Sequence, residues 1–151
     1  MTEKDALVIA RIIGFLHDGP KGNVNVAILA DTPASRQDAN QFAALTKGGK
    51  RVRDITMFAE VIGLEELNST TAQIIIIPDG MSAAQFDHIY AIAKEKKLVT
   101  ISTSSACLIA KRCAIAIKSE PAVDISMSQS VAADTNVHFN SALRMMIKET
   151  P

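Results

Sequence analysis

The hydroxyl run Ser102-Thr103-Ser104-Ser105 follows a short apolar stretch and is the most chemically suggestive segment of the sequence. Asp31 and Asp79 likewise follow apolar stretches, Val24 to Ala30 and Ile74 to Pro78. In an open parallel sheet, ligands sit beyond the carboxyl ends of the strands, so all of these residues are candidates for binding. The hydroxyls of 102–105, with the free N–H groups of a helix behind them, suit an anion; the plainer alternative is that they cap that helix. Hydrolytic chemistry would need a base beside one of these serines. There is no GxSxG elbow, and the three histidines, His17, His88 and His138, fall on helical or turn segments away from the hydroxyl run. Gly19-Pro20-Lys21-Gly22 and Lys47-Gly48-Gly49-Lys50 fit neither GxxxxGK[ST] nor GxGxxG. No HExxH, no Asp-rich calcium loop and no acidic pair of the receiver type is present. The expectation is a chain with no assembled catalytic set, no metal and no cofactor.

The bulk properties narrow the partners. The chain has 151 residues, 48% of them apolar and only 4% aromatic, so its core must be built from Ile, Val, Leu, Ala and Met. Sixteen basic residues balance 16 acidic ones, which argues against nucleic acid, whose binders present a basic face. Glu65-Glu66 and Lys94 to Lys97 read as solvated surface. The longest apolar run, Ala6 to Leu16, is interrupted by Arg11 and falls short of the ~18 residues of a membrane span. No secretory signal is visible, although a sequence from which one had been removed would read the same.

Several elements must position the candidate residues. Asp5 to Leu16 is helical, with Ile9, Ile12, Ile13 and Leu16 at helical spacing and further apolar residues around them. A helix apolar over so much of its circumference needs cover on more than one face, from its own sheet or from a second subunit. Asn23 to Ala30 reads as a strand, and Ser35 caps a helix facing inward through Ala39, Phe42, Ala43 and Leu45. Arg51 to Met57 alternates as a half-buried strand, and Phe58 to Leu67, carrying Val61, Leu64 and Leu67, reads as a short helix. Ile74-Ile75-Ile76-Ile77 describes a central strand buried on both faces. A helix over Ser82 to Lys96, a strand over Leu98 to Ile101 and a short helix over Thr103 to Ala110 follow. Ala114 to Lys118 and Val123 to Ser128 flank Ser119-Glu120-Pro121 as an antiparallel hairpin. A last helix opens at Asn140 or Ser141 and runs through Leu143, Met146 and Ile147. The predicted fold is one α/β domain over 1–151: a three-layer sandwich with a mostly parallel sheet and a C-terminal antiparallel hairpin, a Rossmann/flavodoxin-like variant.

Cys107 and Cys113 are separated by Leu-Ile-Ala-Lys-Arg, which is no zinc or redox spacing. They are either two buried thiols or a disulfide of an oxidising compartment.

The order and wording of these segments resemble the YfiR/HmsC-like family of periplasmic proteins. The resemblance rests on the apolar first helix leading into Val24 to Asp31, on Lys50-Arg51-Val52-Arg53, and on Ala72 to Pro78. It continues through Leu98-Val99-Thr100-Ile101-Ser102, the hairpin Cys113 to Ile117 with Val123 to Ser128, and Val137-His138-Phe139-Asn140-Ser141-Ala142-Leu143. The chain departs from the family pattern where Thr103 stands for Asp, Ala106-Cys107 for Gly-Phe and Lys111-Arg112 for Gly-Gly. Those are positions suited to binding or close backbone approach, so Arg112 joins Asp31, Asp79 and Ser102 to Ser105 as a candidate contact. The resemblance implies a periplasmic repressor that binds a membrane-bound diguanylate cyclase and so controls cyclic di-GMP signalling without being an enzyme. It further implies a homodimer, for which the Ile9, Ile12, Ile13 and Leu16 face is the candidate surface, and it favours a Cys107–Cys113 bridge. The alternative on the same scaffold is a small-ligand sensor using Asp79 and the 102–105 loop.

Overall fold

The structure, a computed structural model, describes residues 1–151. Helix α1 (Glu3–Gly14) starts at Thr2, whose hydroxyl accepts from the Asp5 amide while the Asp5 carboxylate accepts from the Thr2 amide, a reciprocal cap. Strand β1 (Gly22–Leu29) follows, then α2 (Pro33–Leu45), a short strand β2 (Lys50–Val52) and β3 (Ile55–Ile62). A single 3₁₀ segment, Leu64–Ser69, leads to β4 (Ile74–Ile77), α3 (Ala83–Lys96), β5 (Val99–Ser102) and α4 (Ser105–Ile109). The chain closes through β6 (Ile115–Lys118), β7 (Asp124–Ser128), α5 (Gln129–Asp134), α6 (Ser141–Arg144) and β8 (Ile147–Thr150).

All eight strands form one sheet in the order β2-β3-β1-β4-β5-β6-β7-β8. The run β3-β1-β4-β5-β6 is parallel, and β1 pairs with β3 along its whole length, from Gly22 opposite Ile55 to Leu29 opposite Ile62. Counted along the chain, those parallel strands have the order 2-1-3-4-5 of flavodoxin-like sheets. The antiparallel β6–β7 hairpin is present as expected, and β8 extends it by pairing parallel to β7.

Alternation along the central strands divides the core into two layers. Ile74 and Ile76 point toward α1 and α2, where they meet Ile9, Ile12, Ile13, Ala39 and Phe42. Ile75 and Ile77 point the other way, toward Phe86, Ile89 and Ile92 of α3 and Cys107 of α4. With helices on both faces the middle strands are buried on both sides, which is why 74–77 carries no polar residue.

Four expectations need correction. Residues 58–62 continue β3 rather than opening a helix: the Val61, Leu64 and Leu67 spacing suggests helix, but a full ladder with β1 is available and only 64–69 curls, as 3₁₀. Thr32, not Ser35, caps α2; Ser35 is buried and donates its Oγ to the Thr32 carbonyl at 3.0 Å. The last helix stops at Arg144, and Ile147 enters β8 opposite Ile125. Finally, Ile9, Ile12 and Ile13 are fully buried and Leu16 is 5% exposed, so they are core and offer no dimer surface. Strands β2, β3 and β6, together with α2, supply the cover that α1 requires.

Candidate functional site

The topological switch lies between β1 and β4, where an open α/β sheet normally opens a crevice. In this chain that point is closed. Thr32 Oγ1 donates to the Gly80 carbonyl at 3.1 Å, and Gln85 Nε2 donates to Asp31 Oδ2 at 2.5 Å. Gly80 has φ +95°, and a Cβ on it would lie 2.8 Å from the Ala34 Cβ, so only glycine lets the two loops come this close. Asp31 is thus a loop fastener, tied to the helix that follows β4.

The hydroxyl run divides in a similar way. Ser102 is fully buried; its Oγ donates to the Ile77 carbonyl at 2.8 Å and accepts from the Ser104 amide at 2.9 Å, pinning the ends of β4 and β5 together. Two residues earlier on β5, the buried Thr100 Oγ1 accepts from the Ala114 amide at 2.8 Å and carries β6 alongside. Ser104 occupies the α4 cap position without a side-chain hydrogen bond, and Ser105 is exposed. Thr103 is different. Its hydroxyl oxygen is buried and has no hydrogen-bond partner.

Thr103 and Asp79 line a crevice displaced from the switch point toward the β6–β7 hairpin, with a cavity of about 260 Å³. Its other walls come from the start of α1 (Asp5), the middle of α2 (Asp38) and the hairpin (Lys118, Ser119, Glu120). Most of these groups are engaged. Ser119 Oγ donates to Asp5 Oδ1 at 2.5 Å, the Met1 amino group pairs with Asp38, and Lys4 reaches Glu120 at 3.5 Å. Asp79 has no such partner within the chain; it is partly open to water at the mouth of the crevice. Burial, with the Asp38 carboxylate adding to it, pushes the Asp79 carboxyl above its ordinary value of 3.8.

A carboxyl raised in this way binds its proton more tightly in the folded chain than in the unfolded one. Its favourable effect is complete below 3.8 and is lost as the pH rises through the folded-state value. Asp79→Asn should therefore raise the denaturant midpoint at neutral pH and leave it unchanged near about pH 3, below the ordinary carboxylate range. A neutral-pH midpoint at or below that of the unsubstituted chain would contradict this.

Arg112 stands apart from the crevice, near the amino ends of the strands. Its Nε donates to Asp87 Oδ1 at 2.6 Å and its guanidinium lies 5.0 Å from the centre of the Tyr90 ring. Tyr90 in turn donates its hydroxyl to Asp134. This chain of contacts joins α3 to the segments before β6 and at the end of α5, a packing role for Arg112. Cys107 and Cys113 are free thiols, both fully buried. Burial first, then contact with Cys107, pushes the Cys113 thiol far above its ordinary range, which keeps that sulfur from ionising to the nucleophilic thiolate.

Sequence reasoning reached Asp79 and Thr103 but missed Asp5, Asp38, Lys118, Ser119 and Glu120. Thr2 and Asp5 carry a capping signature, which announces the helix start and not its neighbours. The remaining walls meet only through the tertiary fold.

No family model matches the chain, and no curated protein matches it. Among solved structures, it is similar to a conserved domain protein from Vibrio cholerae, with 9% identity and a TM-score of 0.66. The match covers 99% of this chain and 60% of that one, so the chain spans well under two thirds of its neighbour's length. At that identity the likeness shows a shared α/β fold and nothing finer.

Proposed function

We propose that the chain is a regulatory binding domain that represses a membrane-bound diguanylate cyclase by protein–protein contact, on the periplasmic side, acting through its exterior and not by turning over a substrate. The resemblance to YfiR/HmsC-like proteins supplies the partner and the compartment. The observation that carries the reading is a surface. Met145 and Met146, just after α6, are 89% and 68% exposed. Beside them lies an open cavity of about 270 Å³ with Met127, Ala132, Val137 and Phe139 in its wall and Gln129, Arg144 and Glu149 around it. Two neighbouring methionines held out to solvent beside a polar-edged cavity suit a contact surface, and methionines adapt readily to a partner.

Repression then follows from differential affinity. A domain that binds the inactive cyclase more tightly than the active one shifts the population toward the inactive form. Moving it from 99:1 to 1:99 takes about 5.5 kcal/mol of difference. Substitution at the surface tests this. The pair Met145→Asp and Met146→Asp, co-expressed with the cyclase, should lose most repression of cyclic di-GMP synthesis at an unchanged melting temperature. Full repression by a folded double variant would remove this surface from the account. A homodimer, which the resemblance also implies, would have to form away from the buried face of α1.

A second reading, a small-ligand sensor, draws support from the crevice of about 260 Å³ that Asp79 and Thr103 line.

A further inference from the structure

We propose that Met145 and Met146 are a paired oxidation site, and that their conversion to methionine sulfoxide by a hydroperoxide frees the cyclase from repression. The inference rests on the cyclase reading and adds a regulation to it.

The placement of the sulfur atoms selects these two. The chain has six methionines and two cysteines. Met57 and Met127 are buried, and Met1 and Met81 are half-buried against the two core layers. Cys107 and Cys113 are fully buried, and burial keeps the Cys113 thiol from ionising, whereas thiol oxidation proceeds through an accessible thiolate. Met145 and Met146 are the two methionines that stand in open solvent. A dissolved oxidant therefore meets these thioethers first.

The local fold explains their position. Leu143 and Ile147 are buried on either side of the pair. Helix α6 ends at Arg144, and the Met146 amide donates to the Leu143 carbonyl at 2.8 Å as the chain turns into β8. The two side chains between these anchors are carried outward at the turn. No core contact depends on them, so an added oxygen on each leaves the fold intact and changes only the surface.

The step is a two-electron transfer. The thioether sulfur attacks one oxygen of the peroxide, an S–O bond forms and the O–O bond breaks. Sulfur is oxidised and the peroxide is reduced; the departing hydroxide takes the proton of the transferred oxygen and leaves as water. The product is a polar sulfoxide in place of an adaptable apolar side chain. Seated against apolar groups of a partner, its oxygen loses water without gaining a donor, which opposes binding. Oxidation acts on the unbound repressor, because the bound partner covers both sulfurs, and it blocks rebinding. Sulfoxide reductases reverse the change, so it can serve as a switch.

The test treats the full chain with dilute hydrogen peroxide, locates the added oxygens by peptide mass mapping, and measures melting temperature and repression of the cyclase in membranes. Met145 and Met146 should gain oxygen well before Met57 and Met127, at an unchanged melting temperature. The doubly oxidised chain should bind the cyclase at least about tenfold more weakly. Methionine sulfoxide reductases should restore repression, and dithiothreitol alone should not. The variant Met145→Leu with Met146→Leu keeps the apolar surface without an oxidisable sulfur, so it should repress equally before and after peroxide. The proposal is overturned if the buried methionines react as fast, if the doubly oxidised chain represses fully, if peroxide disables the leucine variant as well, or if dithiothreitol alone restores repression, which would assign the effect to the cysteines. An unoxidised chain that fails to repress would sink the cyclase reading and this regulation with it. Repression that is present but indifferent to the sulfoxides would sink the regulation alone.

Discussion

Ile12→Ala should destabilise the chain by about 2–5 kcal/mol, and the loss should be the same at every protein concentration. Ile12 is fully buried against the sheet with Ile9 and Ile13, inside the layer that holds Ile74, Ile76 and Phe42. Truncation removes apolar contact and leaves a cavity that a helix packed against both sheet and α2 cannot close. In a domain of this size each kcal/mol moves the thermal midpoint by roughly 2–4 °C, so the shift is large. The concentration series distinguishes core from interface. If α1 were covered by a second subunit, the substitution would act by dissociating a dimer and its cost would grow on dilution. Concentration-independent unfolding places α1 in the core.

Phe42→Ala should cost about 3–5 kcal/mol with little change in the denaturant dependence of the unfolding free energy. Phe42 is among the largest fully buried side chains, on a helix whose only other fully buried apolar residue is Ala39. It is therefore the main anchor of α2 on the sheet. Asp38 lies one turn before it, on the same side of the helix. A loosened α2 should carry Asp38 away from Asp79, so Phe42→Ala should also blur the crevice signals in the amide spectrum. A loss below about 1 kcal/mol, the usual scale of a surface substitution, would mean that α2 is not anchored there.

Much of this fold is legible in the residues themselves. Four successive isoleucines at 74–77 can only be satisfied between two layers of helices, and they are. The spacing of the two apolar runs around Ser119-Glu120-Pro121 announces a hairpin, and β6 and β7 pair antiparallel with Ile117 opposite Ile125. Errors arise where two periods fit one stretch. Val61, Leu64 and Leu67 satisfy a helical spacing, but 55–62 has an eight-residue partner in β1, which local sequence does not reveal. Met146 and Ile147 look like one apolar helix face, yet only Ile147 is buried, because the chain straightens to join β7. The first helix posed a different ambiguity. Its apolar girth shows that it must be covered, but whether by the same chain or another copy is a tertiary matter.

The site is less legible than the fold. Strand ends predict where Asp79 and Thr103 fall, because the carboxyl edge of a parallel sheet is a rule of topology. They do not predict that Asp31 is used to tie two loops together, or that Ser102 is consumed between β4 and β5. Arg112, a candidate contact because Lys111-Arg112 stands where the family pattern has Gly-Gly, is engaged by Asp87 and Tyr90 in the fold. Asp5, Asp38 and Ser119 come together from segments far apart in the chain, and no local spacing encodes that meeting.

The most direct test of the functional account adds the purified chain to membranes bearing the diguanylate cyclase and follows cyclic di-GMP synthesis. The account predicts a rate that falls saturably as the chain is added and recovers when it is washed away. An unchanged rate, with the chain folded and in excess over the cyclase, would contradict it.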